Sequence, residues 1–276
     1  MKAVIVLGSG GYLGNELVKS LLANQYDITV IAVDIHEQEH LNDPRLIRVK
    51  MDVTKVEQIS KLIKIVQVFC QIENHSLVAM VNALTLNDSR SKRVEEIRKT
   101  EYSPQKSDFN EYIEKARESW LEYSPHQFLG HFETNVVGLH NVLTRIYPYA
   151  AESSSFVLIN ISSQFAAFPP NQRMFAELEK FTYKPPGYSA SKAALDNYTI
   201  YLAGIFKGTK MRAVGLSLGV LYNNHSDKFL EYHTRNSYAD RMMKVEEAVG
   251  IILWLISDQT AFLNGLIIPA HSSYGN

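Results

Sequence analysis

The sequence predicts an α/β protein built on a doubly wound parallel sheet of about seven strands, with helices on both faces. Two observations carry this. Short apolar runs alternate with stretches of helical periodicity along almost the whole chain. The first run, residues 2–7, is continuously apolar and β-branched, as expected of a central parallel strand covered on both sides. It meets Gly8-Ser9-Gly10-Gly11-Tyr12-Leu13-Gly14, and a helix follows to about residue 24.

That strand, turn and helix set free backbone N–H groups and a positive helix end where a pyrophosphate can lie, so the sheet is expected to be Rossmann-like. Gly8, Gly11 and Gly14 keep a G-x-x-G-x-x-G spacing, and Gly10 suits a close backbone approach. Tyr12 and Leu13 belong to the same turn. A glycine-rich turn by itself is a weak motif, but its place directly after the first strand favours dinucleotide binding. Residues 28–33 form the second strand, and Asp34 ends it. An acidic residue there accepts hydrogen bonds from both adenosine ribose hydroxyls and repels a 2′-phosphate, which favours NAD(H) over NADP(H). A solvated turn residue is the plainer alternative.

Residues 45–51 read as the third strand. Asp52-Val53-Thr54 follows, with Asp52 and Val53 facing the adenine or, more plainly, with Thr54 capping a helix over residues 55–73. The fourth strand, residues 77–81, ends in Asn82-Ala83. Residues 87–123 are charged and only partly periodic, and suggest short helices outside the core. From Pro125 a long helix carries Phe128, Leu129, Phe132, Val136, Leu139, Val142, Leu143 and Ile146. Asn135 lies in its interior, where Asn is a poor helix former. Residues 156–161 are the fifth strand, leading into Ser162-Ser163.

After a second irregular stretch, residues 164–187, comes Pro185-Pro186-Gly187-Tyr188-Ser189-Ala190-Ser191-Lys192. The prolines stop what precedes them, Gly187 supplies a turn, and a helix is expected from Tyr188. Tyr188 and Lys192 then share one helix face. An ammonium near a phenol lowers its pKa, which suits the phenol to exchange a proton with a carbonyl or alcohol oxygen. A sixth strand covers residues 211–218 and leads to Gly219-Val220. Residues 219–240 give no clear helix signal until near their end. A helix over 245–256 and a strand over 265–268 complete the sheet.

The composition bounds the rest. The chain has 276 residues, 46% of them hydrophobic, with a formal net charge of −1. One domain spanning 1–276, with insertions at about 87–123, 164–187 and 219–240, is the simplest partition. The charge gives no reason to expect nucleic acid or an anionic membrane as partner. Cys70 is the single cysteine and cannot form an internal disulfide. The first apolar run breaks at Gly8, too short for a signal-peptide core or a membrane span, so a cytoplasmic location is expected. The nine histidines show no metal-ligand spacing, and no metal site is expected. His225, His233 and His271 lie near the expected mouth of the site and read as surface or loop residues.

Taken together, the early Gly8/Gly11/Gly14 turn, Asn135 in a mid-chain helix, Ser162-Ser163 at a strand end and Tyr188-x-x-x-Lys192 resemble the short-chain dehydrogenase/reductase family over nearly the whole chain. The resemblance implies a tetrad of Asn135, Ser163, Tyr188 and Lys192. In it Tyr is the general acid/base and Ser holds the substrate oxygen. Lys lowers the Tyr pKa and grips the nicotinamide ribose, and Asn bends its helix and holds a water in the proton relay. The resemblance also implies a homodimer or homotetramer formed through the long helices from Pro125 and Tyr188. Residues 164–188 and the run from Gly219 look like the branch that includes flagellin-modification and nonulosonic-acid-pathway proteins, which act on sugar-derived substrates.

Three departures from the family pattern bear on the cofactor side. The usual Asn-Asn-Ala-Gly reads Asn82-Ala83-Leu84-Thr85, the usual Pro-Gly reads Leu218-Gly219, and the C-terminal Asp-Gly-Gly reads Ala270-His271-Ser272. The expectation is an NAD(H)-dependent oxidoreductase interconverting a secondary alcohol and a carbonyl. Two alternatives stand beside it: an idle NAD-binding regulator or scaffold, and a sugar-nucleotide epimerase or dehydratase. The three insertions should wall the pocket. They mix aromatic planes (Phe168, Phe175, Tyr183, Tyr222) with hydrogen-bonders (Asn171, Gln172, Arg173, Asn223, Asn224), which suits a polar, sugar-like and acidic molecule better than a lipid.

Overall fold

The computed structural model describes residues 1–23, 28–36, 41–72, 75–86, 109–170 and 184–272. Seven strands form one parallel sheet: β1 (Lys2–Leu7), β2 (Ile28–Asp34), β3 (Leu46–Lys50), β4 (Ser76–Asn82), β5 (Phe156–Ser163), β6 (Met211–Leu218) and β7 (Leu266–Ala270). Their order is β3-β2-β1-β4-β5-β6-β7. The winding reverses between β1 and β4, and a crevice opens outside their C-terminal ends. The register lines up one edge of the sheet. Leu7 pairs with Val33 and with Asn82, Asn82 with Asn160, Ser163 with Leu218, and Leu218 with Ala270.

Successive side chains of a strand point to opposite faces. Ile5, Ile31, Leu158 and Ala213 enter one core, with α2 (Val56–Gln67), α5 (Gly138–Glu152) and α7 (Pro186–Ile205). Val4, Val30, Val157 and Val214 enter the other, with α1 (Tyr12–Ala23) and α9 (Val245–Ile256). Both faces are therefore dry, which is why the strand segments read as unbroken apolar runs. Each fully buried Leu, Ile or Val contributes about 1.5–3 kcal/mol of hydrophobic stabilisation.

Four other helices decorate this frame: α3 (Phe109–Leu121), α4 (Pro125–Phe132), α6 (Gln164–Ala167) and α8 (Asp227–Arg235). Ser124 caps α4 through a capping box, its hydroxyl accepting from the Gln127 N–H at 3.2 Å while Gln127 Oε1 accepts from the Ser124 N–H at 3.0 Å. Pro125 takes the first helical position, where its missing N–H costs nothing. From α4 the chain runs through a π-helical turn, Glu133–Val137, directly into α5.

Several expectations are corrected here. Thr54 does not cap α2; it gives both its N–H and its hydroxyl to Asp52 Oδ1, at 2.9 and 2.7 Å, and the helix starts at Val56 after an uncapped Lys55. Helix α7 starts two residues before Tyr188. Gly187 is a buried helical residue rather than a turn, and a Cβ on it would lie 2.8 Å from His131 and 3.1 Å from the Phe128 carbonyl. The 219–240 stretch contains a full helix, α8, in its middle. In the 87–123 stretch, α3 buries Tyr112 and Ala116, neither of which belongs to the two cores on the faces of the sheet. Residues 87–108 and 171–183, with Asn171, Gln172, Arg173, Phe175 and Tyr183, lie outside the described residues.

Candidate active site

The glycine turn is shaped by its neighbours. Gly8 has φ +79°, and a Cβ there would stand 2.7 Å from the Ala83 carbonyl oxygen. Gly14 lets α1 close onto the Gly8 carbonyl; any side chain would overlap it. These two glycines are required by the backbone path. Gly10, Gly11 and Tyr12 remain exposed, so the first N–H groups of α1 face the crevice, and α1 has no acidic residue in its first turn to occupy them. Leu13 is buried, and its side chain serves the core.

Asp34 ends β2 beside this turn. Its Oδ2 accepts the Gly10 N–H and its Oδ1 the His36 N–H, both at 2.9 Å. Each oxygen keeps a lone pair for a hydroxyl donor. The first N–H groups of α1, from Tyr12 to Gly14, have no intrahelical partner, and with a fixed carboxylate beside them they fit the pyrophosphate and ribose of a dinucleotide.

The neighbouring strand ends behave differently from one another. Asp52 spends one oxygen on Thr54, and its own N–H donates to Gln58. Val53 is buried against Gly138. The Asn82 side chain turns inward, donating to Asn160 Oδ1 at 3.0 Å, and Asn160 donates in turn to Thr199 at 2.9 Å. This buried chain of amides ties β4 and β5 to α7. In the altered loop, it is the backbone that is used: the Ala83 carbonyl packs on Gly8, and the Leu84 carbonyl accepts from Lys192. Gly219 closes on His271, with a Cβ 3.0 Å away if one were added.

The structure brings Ser163, Tyr188 and Lys192 together where β5 ends and α7 begins. Lys192 is 2% exposed; its ammonium donates to the Ile161 carbonyl at 2.7 Å and the Leu84 carbonyl at 3.2 Å. Burial holds its pKa down at about 8, with the nearby Asp196 charge opposing the shift and the Lys184 charge adding to it. Asp196, one turn further along α7, has its own carboxyl raised by burial, against the Ser162 hydroxyl and the Lys192 charge. Tyr188 corrects a sequence expectation. Its pKa is raised, not lowered, because burial disfavours the phenolate more than the Ser163 hydroxyl beside it favours it.

Asn135 sits in the π-helical turn, fully buried. Its Nδ2 donates to Ser191 Oγ at 2.9 Å, and the Ser191 hydroxyl donates to the Tyr188 carbonyl at 2.9 Å. Its Oδ1 is buried with no hydrogen-bond partner among the described residues. A π-turn widens the helix locally and often marks a functional site. The awkward Asn is thereby explained: it is the contact through which the bulge grips α7.

Sequence reasoning missed four residues here. Ser191 was hidden inside the Tyr188–Lys192 spacing. Lys184 places its ammonium 3.7 Å from the centre of the Tyr188 ring, and burial holds its pKa down at about 8. The His131 ring meets Tyr188 edge-on, centroids 6.3 Å apart. Gln164, directly after Ser163, is buried, and its Nε2 has no partner among the described residues. It lines a cavity of about 110 Å³ with Gly219, Val220, His233 and His271. His233 is not a surface residue: it is 3% exposed, and burial lowers its pKa to about 4, with the His225 charge adding to the shift. No group of acidic, cysteine or histidine side chains suited to a metal ion occurs among the described residues.

Comparisons with known proteins agree with this architecture. The family model described as enoyl-(acyl carrier protein) reductase matches residues 112–272, and that of the NAD-dependent epimerase/dehydratase family matches residues 4–78. Post-translational flagellin modification protein A of Campylobacter coli is 23% identical, over 99% of this chain and 98% of its own length. An uncharacterised oxidoreductase of Haemophilus influenzae is 31% identical over 130 residues, which span 42% of this chain and 41% of that protein. Among solved structures, a short-chain dehydrogenase from Leptospira borgpetersenii with bound NAD+ superposes with a TM-score of 0.77 at 18% identity, covering 99% of this chain and 92% of that one. A candidate D-mannonate oxidoreductase from Haemophilus influenzae with bound NAD gives 0.71 at 20% identity, covering 97% and 92%. With a family model over more than half of its length, the chain belongs to the short-chain dehydrogenase/reductase family of nicotinamide-dependent oxidoreductases.

Proposed function

We propose that this protein interconverts a secondary alcohol and a carbonyl on a polar, sugar-derived molecule, using NAD(H) in preference to NADP(H). The observation that carries the chemistry is the meeting of the Tyr188 phenol and the Ser163 hydroxyl at the end of β5, with the buried Lys192 ammonium one helical turn behind.

The nicotinamide cofactor, when bound, supplies or removes the hydride. The chain's own residues handle the substrate oxygen and its proton. The Tyr188 hydroxyl, kept protonated by burial, donates to a forming alkoxide in the reducing direction; in the oxidising direction it first gives its proton up through the relay, and the resulting phenolate accepts the alcohol proton. Ser163 holds the same oxygen by a second hydrogen bond. Lys192 spends two of its three N–H donors on the Leu84 and Ile161 carbonyls, leaving the third for a ribose hydroxyl. Asn135 fixes the Tyr188 turn through Ser191, and its free Oδ1 is a buried acceptor for a relay water.

Gly8, Gly10, Gly11, Tyr12 and Gly14 hold the pyrophosphate, and Asp34 selects the unphosphorylated ribose. Asp52, Val53, Asn82, Ala83, Gly219 and Val220 complete the wall. The roles of Val53 and Asn82 come through their backbone, since their side chains face the interior.

The substrate class rests on the cavity that opens at Gln164, the residue after Ser163, and on two relatives. Gln164 and His271 present buried nitrogens with no partner among the described residues, while Phe229 and His225 stack with ring centroids 4.5 Å apart. Such a mixture of planes and donors suits a hydroxylated molecule. The D-mannonate oxidoreductase candidate is named for a sugar acid, and flagellin modification protein A for the post-translational modification of flagellin. The protein is further proposed to be cytoplasmic and to assemble as a dimer or tetramer. Val137, before α5, and Ile200, Tyr201 and Ile205 of α7 are the exposed apolar residues that such an interface would cover. No described helix is long and apolar enough to cross a membrane.

The test is a panel of sugars, sugar acids and sugar nucleotides beside steroids and long-chain alcohols, followed by NADH absorbance. Turnover confined to the polar set supports the reading. Turnover of only the lipophilic set refutes the substrate class, and silence from every compound favours an idle NAD-binding regulator.

A further inference from the structure

Lys184 is not used by the chemistry above, and its surroundings are unusual for a lysine. It lies immediately before the Pro185-Pro186 pair that opens α7, so the start of the helix fixes its backbone. The side chain is half-buried and folds back over Tyr188, with Nζ 3.7 Å from the ring centroid. A cation over a phenol ring is favourable. It nevertheless leaves three N–H donors unspent: among the described residues Lys184 has neither a hydrogen-bond acceptor nor a carboxylate partner. Lys192 lies close enough for the Lys184 charge to depress its protonation. Asp196 acts on Lys192, but its charge does not act on Lys184. Near Tyr188, then, the site holds a desolvated positive charge with no opposite charge on it among the described residues. Buried or half-buried charges are normally paired, and the missing partner is most economically a group brought by the ligand.

We infer that the Lys184 ammonium recognises a carboxylate of the substrate, so that the molecule reduced or oxidised at Tyr188 is an acid whose carboxylate lies within a short carbon chain of its reacting carbon. The inference deepens the reading under Proposed function and rests on it for the placement of the reacting carbon at Tyr188. One ammonium complements one carboxylate. A phosphate dianion would call for more donors than this residue supplies, so a phosphorylated sugar is the competing outcome. The contact with the Tyr188 ring also sets the distance, because an anion bound to Lys184 lies beside the phenol rather than at the glycine turn, where the cofactor phosphates belong.

The experiment titrates ligands into the intact protein saturated with NADH, reading NADH fluorescence. The ligands are hydroxy acids of three to six carbons (glycerate, tartrate and gluconate among them), their uncharged polyols, and the matching sugar phosphates. Wild type is compared with Lys184→Met and Lys184→Arg. The expected result is that at least one acid binds tenfold or more tightly than its polyol. Lys184→Met should cut acid binding by about 10- to 100-fold, as for loss of a charge-assisted hydrogen bond, and Lys184→Arg should keep most of it. Circular dichroism and NADH affinity, both expected to be unchanged in Lys184→Met, show that the variant is folded. No preference for acids in wild type, a preference that survives Lys184→Met, or tighter binding of the phosphates would overturn the inference. Oxidation of the same compounds with NAD+ separates the two readings. A Lys184-dependent preference without turnover leaves the anion site standing and removes the proposed activity, whereas turnover confined to uncharged polyols does the reverse.

Discussion

Replacing Lys192 by methionine offers a measurement whose size follows from the structure. The ammonium is 2% exposed, and its pKa is held at about 8 against an ordinary value of 10.5. Between those two values the unfolded chain binds the proton that the folded chain has released, so folding stability rises with pH across that window. The burial penalty is absent above pH 10.5 and fully in force below about pH 8. At about 1.4 kcal/mol per pH unit, the gain from pH 8 to pH 10 amounts to about 2 kcal/mol. Methionine keeps the length of the side chain but has no charge to lose. It orphans the Ile161 and Leu84 carbonyls, at about 1–3 kcal/mol each, while removing the buried charge. At pH 7 these effects oppose one another, so the net change there is modest; the signature is the slope. Urea unfolding at pH 7, 8, 9 and 10 should show wild-type stability climbing relative to Lys192→Met by about 2 kcal/mol. Parallel pH profiles for the two proteins would show that the lysine is not titrating in a desolvated site, and the electrostatic account of the site would fail.

Other expectations are briefer. Asp34→Arg should reverse or erase the preference for NAD, read by titrating both cofactors into each protein; tighter NADP binding by wild type would refute the assignment. Gly187→Ala should destabilise by about 1–3 kcal/mol through overpacking against His131 and the Phe128 carbonyl, measured by the urea midpoint, and an unchanged midpoint would show that α4 and α7 are not in contact there. Ser191→Ala should lower kcat more than it lowers NADH affinity, because Asn135 then loses its hold on the Tyr188 turn; equal losses in both would point to a general structural role.

The strands were legible because both cores are apolar: a residue such as Ile5 or Val4 needs no knowledge of which helix it meets. Gly8, Gly14 and the Tyr188–Lys192 spacing were legible because each reflects a local geometric need. Legibility failed where a residue acts through distant partners. Thr54 looked like a cap, yet Asp52 was the nearer acceptor. Helix α8 was obscured because its buried face includes His233, which reads as polar in a sequence. The shift of the Tyr188 pKa could not be foreseen from Lys192, since spacing shows proximity to a charge but not the depth of burial that outweighs it. Lys184 and Ser191 stood next to the motif, and only the folded side chains reveal what they touch.

The central claim is that Tyr188 passes the proton to and from the substrate oxygen. Its most direct test is Tyr188→Phe, assayed for NADH binding by fluorescence and for turnover by NADH absorbance on whichever compound wild type converts. NADH affinity should stay within about twofold, while kcat falls by roughly 10²–10⁴, the contribution of a positioned general acid/base. Near-normal turnover by Tyr188→Phe would show that the proton travels by another route and would contradict the account.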